Sequence, residues 1–541
     1  MKKTILFSLC LCFSLSLFAQ VEDLSQPQSW FITKNLNTVE PITLEAVNVQ
    51  QALSEDEAVE GKSGTPYRFG LEIPVSYNTA NSGVWDVLAN GDRIWRLNLV
   101  SEGATTLNFI FDKYNLPEGS SLHFYSDDAI DVVGPYDSTF NRNDSTFGSW
   151  LVSGDNVWIE YYEPKASQGE GELSIATVVH GYRSLPKTEI NTRNVNCYHD
   201  VECPIGEDLE SIKNVVKHSV ARIIAVNYFC TGALINNVKN DRTPYFLTAK
   251  HCDPNNSPAQ WVFRFNWISE EPSCGTAVPS GDGGFNQVNG ADRMSSNWNS
   301  DFLLMMLTGT INPNWDLVYA GWNRSSTQIP QYGMGIHHPG GEIMKVSRTY
   351  VPLAKQNVNV GDIPVPVQSW MTNWGLGVTA GGSSGSPLFD PQGRIVGQLS
   401  GGSSACAGTS GNGQPDFYGR MDVNFDFGEY PAERLTEWLD PDGTGAQTTE
   451  TINLSTDNFQ PISNITVYPN PASEVLYLMN NNSTQLQLEI FDVQGKRVLF
   501  SEVPNVNSEI NVSTLNEGIY FLKLYDGASN SGTTKKIIIK N

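Results

Sequence analysis

Six cysteines, Cys197, Cys203, Cys230, Cys252, Cys274 and Cys406, lie in one middle stretch of this 541-residue chain, and only Cys10 and Cys12 lie elsewhere. An even set confined to one segment implies three disulfides, provided the chain reaches an oxidising compartment. The middle of the chain must then fold so that residues far apart in sequence come within sulfur reach. Six cysteines can pair in many ways, and their spacing alone selects none. There is no CxxC pair, so the set does not read as a zinc site.

The N-terminus supplies the export route. Lys2 and Lys3 precede an apolar run from Ile5 to Phe18, with Ala19 before Gln20, the pattern of a signal peptide over residues 1–19. The run falls short of the roughly 20 residues a spanning helix needs. Composition narrows the rest. With 40% apolar and 11% aromatic residues the chain can build packed cores, and at about 150 residues per domain it should build three or four. Its 34 basic and 58 acidic side chains give a net charge of −24. Nucleic-acid binding, which depends on clustered cations, is excluded as a main role.

Hydrophobic periodicity divides the chain. Residues 20–190 read as a propeptide: a polar, acidic, poorly ordered leader, then a β-sandwich over about 65–180. There Trp95, Leu97 and Leu99 alternate with Arg96 and Asn98, the period of a half-buried strand. The cysteine-bearing module spans 191–450. It has one amphipathic helix expected over Glu207 to Ile223, and a second opened by Pro431 and stopped by Pro441. A polar linker, 444–463 at its widest and 451–463 at its narrowest, leads to a third module over 464–541, whose short strands predict another β-sandwich.

Seven histidines can be weighed one at a time. His123, His180, His199 and His218 sit in segments that suit structural or surface roles. His337 and His338 are adjacent, but a Pro- and Gly-bounded turn without companion ligands does not read as a metal site. His251 stands out. It follows the strand-like Tyr245-Phe246-Leu247 in Thr248-Ala249-Lys250-His251-Cys252, where a bridge from Cys252 to Cys230 would fix the backbone beside it. A general base has to be held to a fraction of an ångström. Asp301 opens an apolar strand, where a carboxylate needs a partner. Gly381-Gly382-Ser383-Ser384-Gly385-Ser386 is a tight turn able to present a hydroxyl while backbone N–H groups converge beside it. His, Asp and Ser follow one another in the chain order of chymotrypsin-type proteases.

Over nearly all of 195–450 the middle module resembles the lysyl endopeptidase family of chymotrypsin-fold serine proteases. The carrying segments include Asn240-Asp241-Arg242, the Thr248–Cys252 segment, Ser300-Asp301-Phe302, Ile336-His337-His338-Pro339, Gly382 to Pro387 and Tyr418-Gly419-Arg420. The resemblance implies a double six-stranded β-barrel with a C-terminal helix, so the whole chain is expected to be all-β. It implies His251 as general base, Asp301 as its orienting carboxylate and Ser384 as nucleophile, with the N–H groups of Gly382 and Ser384 as oxyanion hole. It also implies the pairs Cys197–Cys406, Cys203–Cys274 and Cys230–Cys252.

Asp416 matches the family's pocket-floor carboxylate, with Ser400 and Gly401 lining the pocket. Ser400 stands where the family has His, and Val351 to Val360 holds no Trp to stack on it, so cleavage after both Lys and Arg is predicted. Ser383, before the nucleophile, is not the Asp that animal zymogens pair with a new N-terminus. The first module is therefore read as an assisting and masking pro-domain, cut after Arg183, Lys187 or Arg193.

The last module resembles the C-terminal sorting domain of type IX secretion. The matching segments are Tyr468-Pro469-Asn470-Pro471-Ala472, Asp492 to Lys496, Leu515 to Tyr520 and the Lys- and Ile-rich end. The expected partners are protein or peptide substrates and the secretion machinery, with no nucleic acid; the enzyme is expected to be a monomer, released or held at the cell surface. Neither cofactor nor metal is called for. The alternative from another class is a non-catalytic adhesin or binding protein on a protease-like scaffold.

Overall fold

The computed structural model describes residues 25–32, 36–59, 64–183, 197–254, 257–274, 283–404, 413–453, 460–461, 465–480, 486–492, 496–503, 508–526 and 531–540. Residues 1–19, expected to be a signal peptide, and Lys187, Arg193 and Cys406 lie outside them. Strands dominate, in three modules. No helix among the described residues is long and apolar enough to cross a membrane.

The first module is a sandwich of a six-stranded and a five-stranded sheet, centred on Arg93–Val100 and Asn156–Glu163 in one and Thr106–Asn115 and Glu172–Gly181 in the other. The alternation seen in the sequence puts Leu97, Leu99, Phe109 and Phe111 in the core. The opposite face is buried as well: Arg96 ion-pairs with Asp86 at 2.8 Å and Asn98 bonds to Asn156 at 2.6 Å. The reason is the leader, which is ordered over much of its length. Its strand Ile42–Thr43 runs parallel to Leu99–Val100, and it forms an 11-residue helix, Val49–Val59. Asp56 on that helix, almost fully buried, takes up Arg68, Tyr182 and Arg183, a long-range contact that period counting cannot anticipate.

The middle module carries two sheets. One contains the six-strand run Val262–Phe265, Val220–Ala225, Tyr228–Leu234, Tyr245–Ala249, Phe302–Leu307, Ala291–Asn297; the other runs Lys345–Thr349, Gly333–His337, Pro387–Phe389, Ile395–Gly402, Pro415–Arg420, Val367–Asn373. These runs are the two expected barrels. Short strands enlarge them to sheets of eight and ten strands. One addition is Tyr67–Arg68 from the first module, which pairs antiparallel with Tyr228 and Phe229.

Two helix expectations are corrected. The helix beginning at Glu207 ends at Val216, and after one 3-10 turn Val220–Ala225 is a strand. All six residues of that strand are buried, and its β-branched residues suit a fully enclosed sheet position better than a helix. The segment after Pro431 is one 3-10 turn and a four-residue helix, Thr436–Leu439, preceded by Met421–Asp426. Leu435 and Leu439 still anchor it in the core.

Part of the stretch expected as a linker is paired. Thr448–Thr449 pairs with Trp322–Asn323, and Ile452–Asn453 with Val318–Tyr319. Beyond it, a five-stranded and a three-stranded sheet enclose their own core, including Leu476, Leu488, Ile490, Leu522 and Ile537.

Candidate active site

His251 sits in a 3-10 turn that directly follows Tyr245–Ala249. Cys252, next to it, is bridged to Cys230 across a sequence separation of 22, with Cα atoms 6.3 Å apart. Asp301 precedes Phe302–Leu307, which pairs with the strand leading to His251. Its φ of 55° is left-handed, a conformation Asp tolerates better than most residues. In that conformation three groups of Asp301 reach the His251 turn. Oδ2 lies 2.7 Å from His251 Nδ1, Oδ1 accepts from His251 N–H at 3.0 Å, and the backbone carbonyl accepts from Lys250 N–H at 2.9 Å. Asp301 is fully buried and His251 nearly so. With Nδ1 donating to the carboxylate, Nε2 carries the free lone pair. Nε2 is buried and has no hydrogen-bond partner among the described residues.

Ser384 lies on the turn before Pro387–Phe389. Thr231 N–H donates to its carbonyl at 2.8 Å, and the Cys252 sulfur lies 3.7 Å from the same oxygen. The disulfide that fixes His251 therefore also abuts Ser384. Ser384 Oγ and His251 Nε2 are not hydrogen-bonded to each other; contacts of this kind commonly tighten only in the substrate complex. Gly382 has φ +91° and Gly385 φ +81°, which side-chain-bearing residues rarely adopt. The N–H groups of Gly382 and Ser384 have no acceptor among the described residues.

Asp416 is fully buried. Its Oδ2 accepts from Trp374 Nε1 at 2.5 Å and Thr379 Oγ1 at 2.7 Å, and its Oδ1 from Ser404 N–H at 3.3 Å. It is hydrogen-bonded rather than bare, but by neutral donors; no cation pairs with it among the described residues. Burial raises its pKa from 3.8 to about 6, and the three donors only partly offset that rise. A β-bulge after Leu399 turns Gly401 and Gly402 toward this strand, with Gly402 opposite Asp416. Ser400 Oγ is buried without a partner. Trp374 and Thr379 went unassigned in the sequence: Trp374 follows the strand whose Thr372 pairs with Asp416, a register that the sequence alone does not give.

The expected pair Cys203–Cys274 is formed, with Cα atoms 5.6 Å apart. Cys197 is disulfide-bonded; its expected partner, Cys406, lies outside the described residues. No cluster of metal-ligating side chains occurs among the described residues. The first module reaches this site. Tyr67 stacks on Phe229 with centroids 6.1 Å apart, and its ring lies 2.5 Å from where a Cβ on Gly381 would stand. Phe69 stacks on Phe229 at 4.1 Å.

Two of the three modules match known families. Residues 192–419 match the family model "Lysyl endopeptidase, C-terminal domain", and residues 466–540 match "Secretion system C-terminal sorting domain". A lysyl endopeptidase of Pseudomonas aeruginosa is 26% identical over 373 residues, which cover 64% of this chain and 77% of that protein. Similar solved structures include Rv3671c of M. tuberculosis in an inactive form (14% identity, 39% of this chain, 84% of that one, TM-score 0.26). Human heparin binding protein is another (16% identity, 41% and 90%, TM-score 0.27). The chain is a secreted serine endopeptidase whose middle module matches the lysyl endopeptidase family model and whose last module matches that of a secretion system sorting domain.

Proposed function

We propose that the chain cleaves peptide bonds after Lys and Arg through an acyl-enzyme formed on Ser384. His251 Nε2 takes the Ser384 proton as Oγ attacks the carbonyl carbon, and Asp301 holds the resulting imidazolium. The oxyanion is received by the N–H groups of Gly382 and Ser384. His251 returns the proton to the leaving amine, and water, activated the same way, releases the acid. The observation that carries this reading is the buried Asp301–His251 pair with its lone pair unspent, tied by the Cys230–Cys252 bridge to the Ser384 turn.

Asp416 supports selection of a cationic side chain before the scissile bond: a desolvated carboxylate with only neutral donors gains most when a cation arrives. Ser400, small and short of a partner, leaves room there for either Lys or Arg.

The propeptide acts as the mask. Tyr67–Arg68 pairs with the edge of Tyr228–Leu234 beside Gly381, where an extended substrate running past Ser384 would have to add its own strand. Arg183 stacks over Tyr67 at 4.0 Å and contacts Asp56, so it is held by the mask itself. Maturation is assigned to Lys187 or Arg193, and the sorting domain directs type IX export. Purified Ser384→Ala protein should lose at least about 10⁴-fold in turnover on Lys and Arg amides; full activity in that protein would falsify the assignment.

A further inference from the structure

Next to the nucleophile lies a second imidazole that the chemistry above does not use. His337 is completely buried at the end of Gly333–His337. Its Nδ1 lies 2.8 Å from Ser383 Oγ and its Nε2 3.0 Å from Ser347 Oγ. Burial, with Lys345 adding to it, drives its pKa down to about 3, so the ring is neutral wherever the enzyme works. Ser383 Oγ already accepts from Ala380 N–H at 3.3 Å. Its hydroxyl hydrogen is free to donate to Nδ1, and the protonated Nε2 then donates to Ser347. Both ring nitrogens and both hydroxyls are satisfied by one tautomer.

The same turn is tied down on its other side. Gly340 N–H donates to Gly381 O at 2.6 Å, and Thr231 Oγ1 donates to Gly382 O at 2.8 Å. Ser383 is the one residue between the two N–H groups that would face the oxyanion, and its side chain is held by the buried His337.

We propose that His337 is the positioning residue of the nucleophile turn: through Ser383 it fixes the peptide planes on either side, so that the N–H groups of Gly382 and Ser384 converge without any newly cut N-terminus. The oxyanion site is then assembled in the uncut chain, and the uncut chain is silent because the cleft is covered. This rests on the reading of Ser384 as nucleophile.

The test uses mature enzyme carrying His337→Phe, which keeps a buried ring and removes both hydrogen bonds, and separately Ser383→Ala, which keeps the ring and removes one. A residue that only fills space would alter stability and leave kcat alone, or lower everything together. A positioning residue should lower kcat at least ten-fold in both variants and weaken a tetrahedral boronate inhibitor by a similar factor, with KM and the affinity of a simple alkylamine for the Asp416 pocket within about three-fold of native. Native kcat in either folded variant, or equal losses in kcat, boronate and amine binding, would overturn it. Should His337→Phe fail to fold, Ser383→Ala decides alone. A native enzyme that a serine-directed phosphonate does not label at Ser384 would instead sink the nucleophile assignment.

Discussion

At the scale of single residues, Asp416 carries the sharpest consequences. Its ordinary pKa of 3.8 is raised to about 6, so the fold prefers it protonated between those values. Ionising it costs stability that is not lost below pH 3.8 and is lost in full above about pH 6, roughly 3 kcal/mol. Asp416→Asn should therefore gain thermal midpoint relative to the parent as pH rises from 4 to 8, measured in a Ser384→Ala background to prevent autolysis; a difference that does not vary with pH would contradict this. The same substitution should lower kcat/KM on Lys and Arg substrates by between tens- and thousands-fold, because it removes the charged half of a buried pair. Alkylamine affinity of the Ser384→Ala protein should weaken as pH falls through about 6, as Asp416 takes up its proton. The identity of Asp416 was legible in the sequence by resemblance. Its environment was not: Trp374 and Thr379 reach the carboxylate from a neighbouring strand and a loop, and only tertiary register brings them there.

At the scale of elements, the nucleophile turn separates folding from chemistry at two glycines. A Cβ on Gly385 would overlap Thr248 Oγ1 and lie 2.5 Å from Thr231 O, at φ +81°. Rigid strand backbone cannot yield, so Gly385→Ala should cost several kcal/mol by denaturant titration. At Gly382 a Cβ is strained too, at φ +91° and 2.9 Å from His338 O, but its overlap is smaller, with Gly341 N and Gly340 N at 3.0–3.1 Å. Gly382→Ala should fold but tilt one oxyanion donor, lowering kcat about 10²-fold with less change in KM. The Gly–Ser run announced a tight turn; which glycine serves which purpose depends on what packs behind it. The end of the expected helix, Val220 to Ile223, which is strand in the structure, shows the same limit. A short apolar segment fits either period, and burial on both faces decided for strand. The strand Tyr67–Arg68 was invisible for another reason: its partner, Tyr228–Leu234, is about 160 residues away. Tyr67→Ala removes the stack on Phe229 and the seat for Arg183. It should hasten the appearance of activity in full-length chain, followed with a fluorogenic Lys amide.

At the scale of the whole molecule, the three modules were legible because each has its own hydrophobic pattern and its own punctuation. Their joints were not. The leader folds against the first sandwich, and residues 448–453 return to the catalytic module as paired strands. A chain ending at residue 453 should keep its thermal midpoint and activity after maturation while losing export. One ending at 443 should be measurably less stable, having lost the strands beside Trp322 and Val318. Active enzyme should begin after Lys187 or Arg193; an N-terminus before residue 100 would show that the first module is not removed. The central claim, that one serine is activated by one imidazole between two barrels, is tested most directly by a serine-directed phosphonate with a Lys side chain, followed by peptide mass mapping. One label per chain on Ser384, abolished by His251→Ala, is the predicted result. A chain that hydrolyses Lys amides while Ser384 stays unlabelled would contradict it.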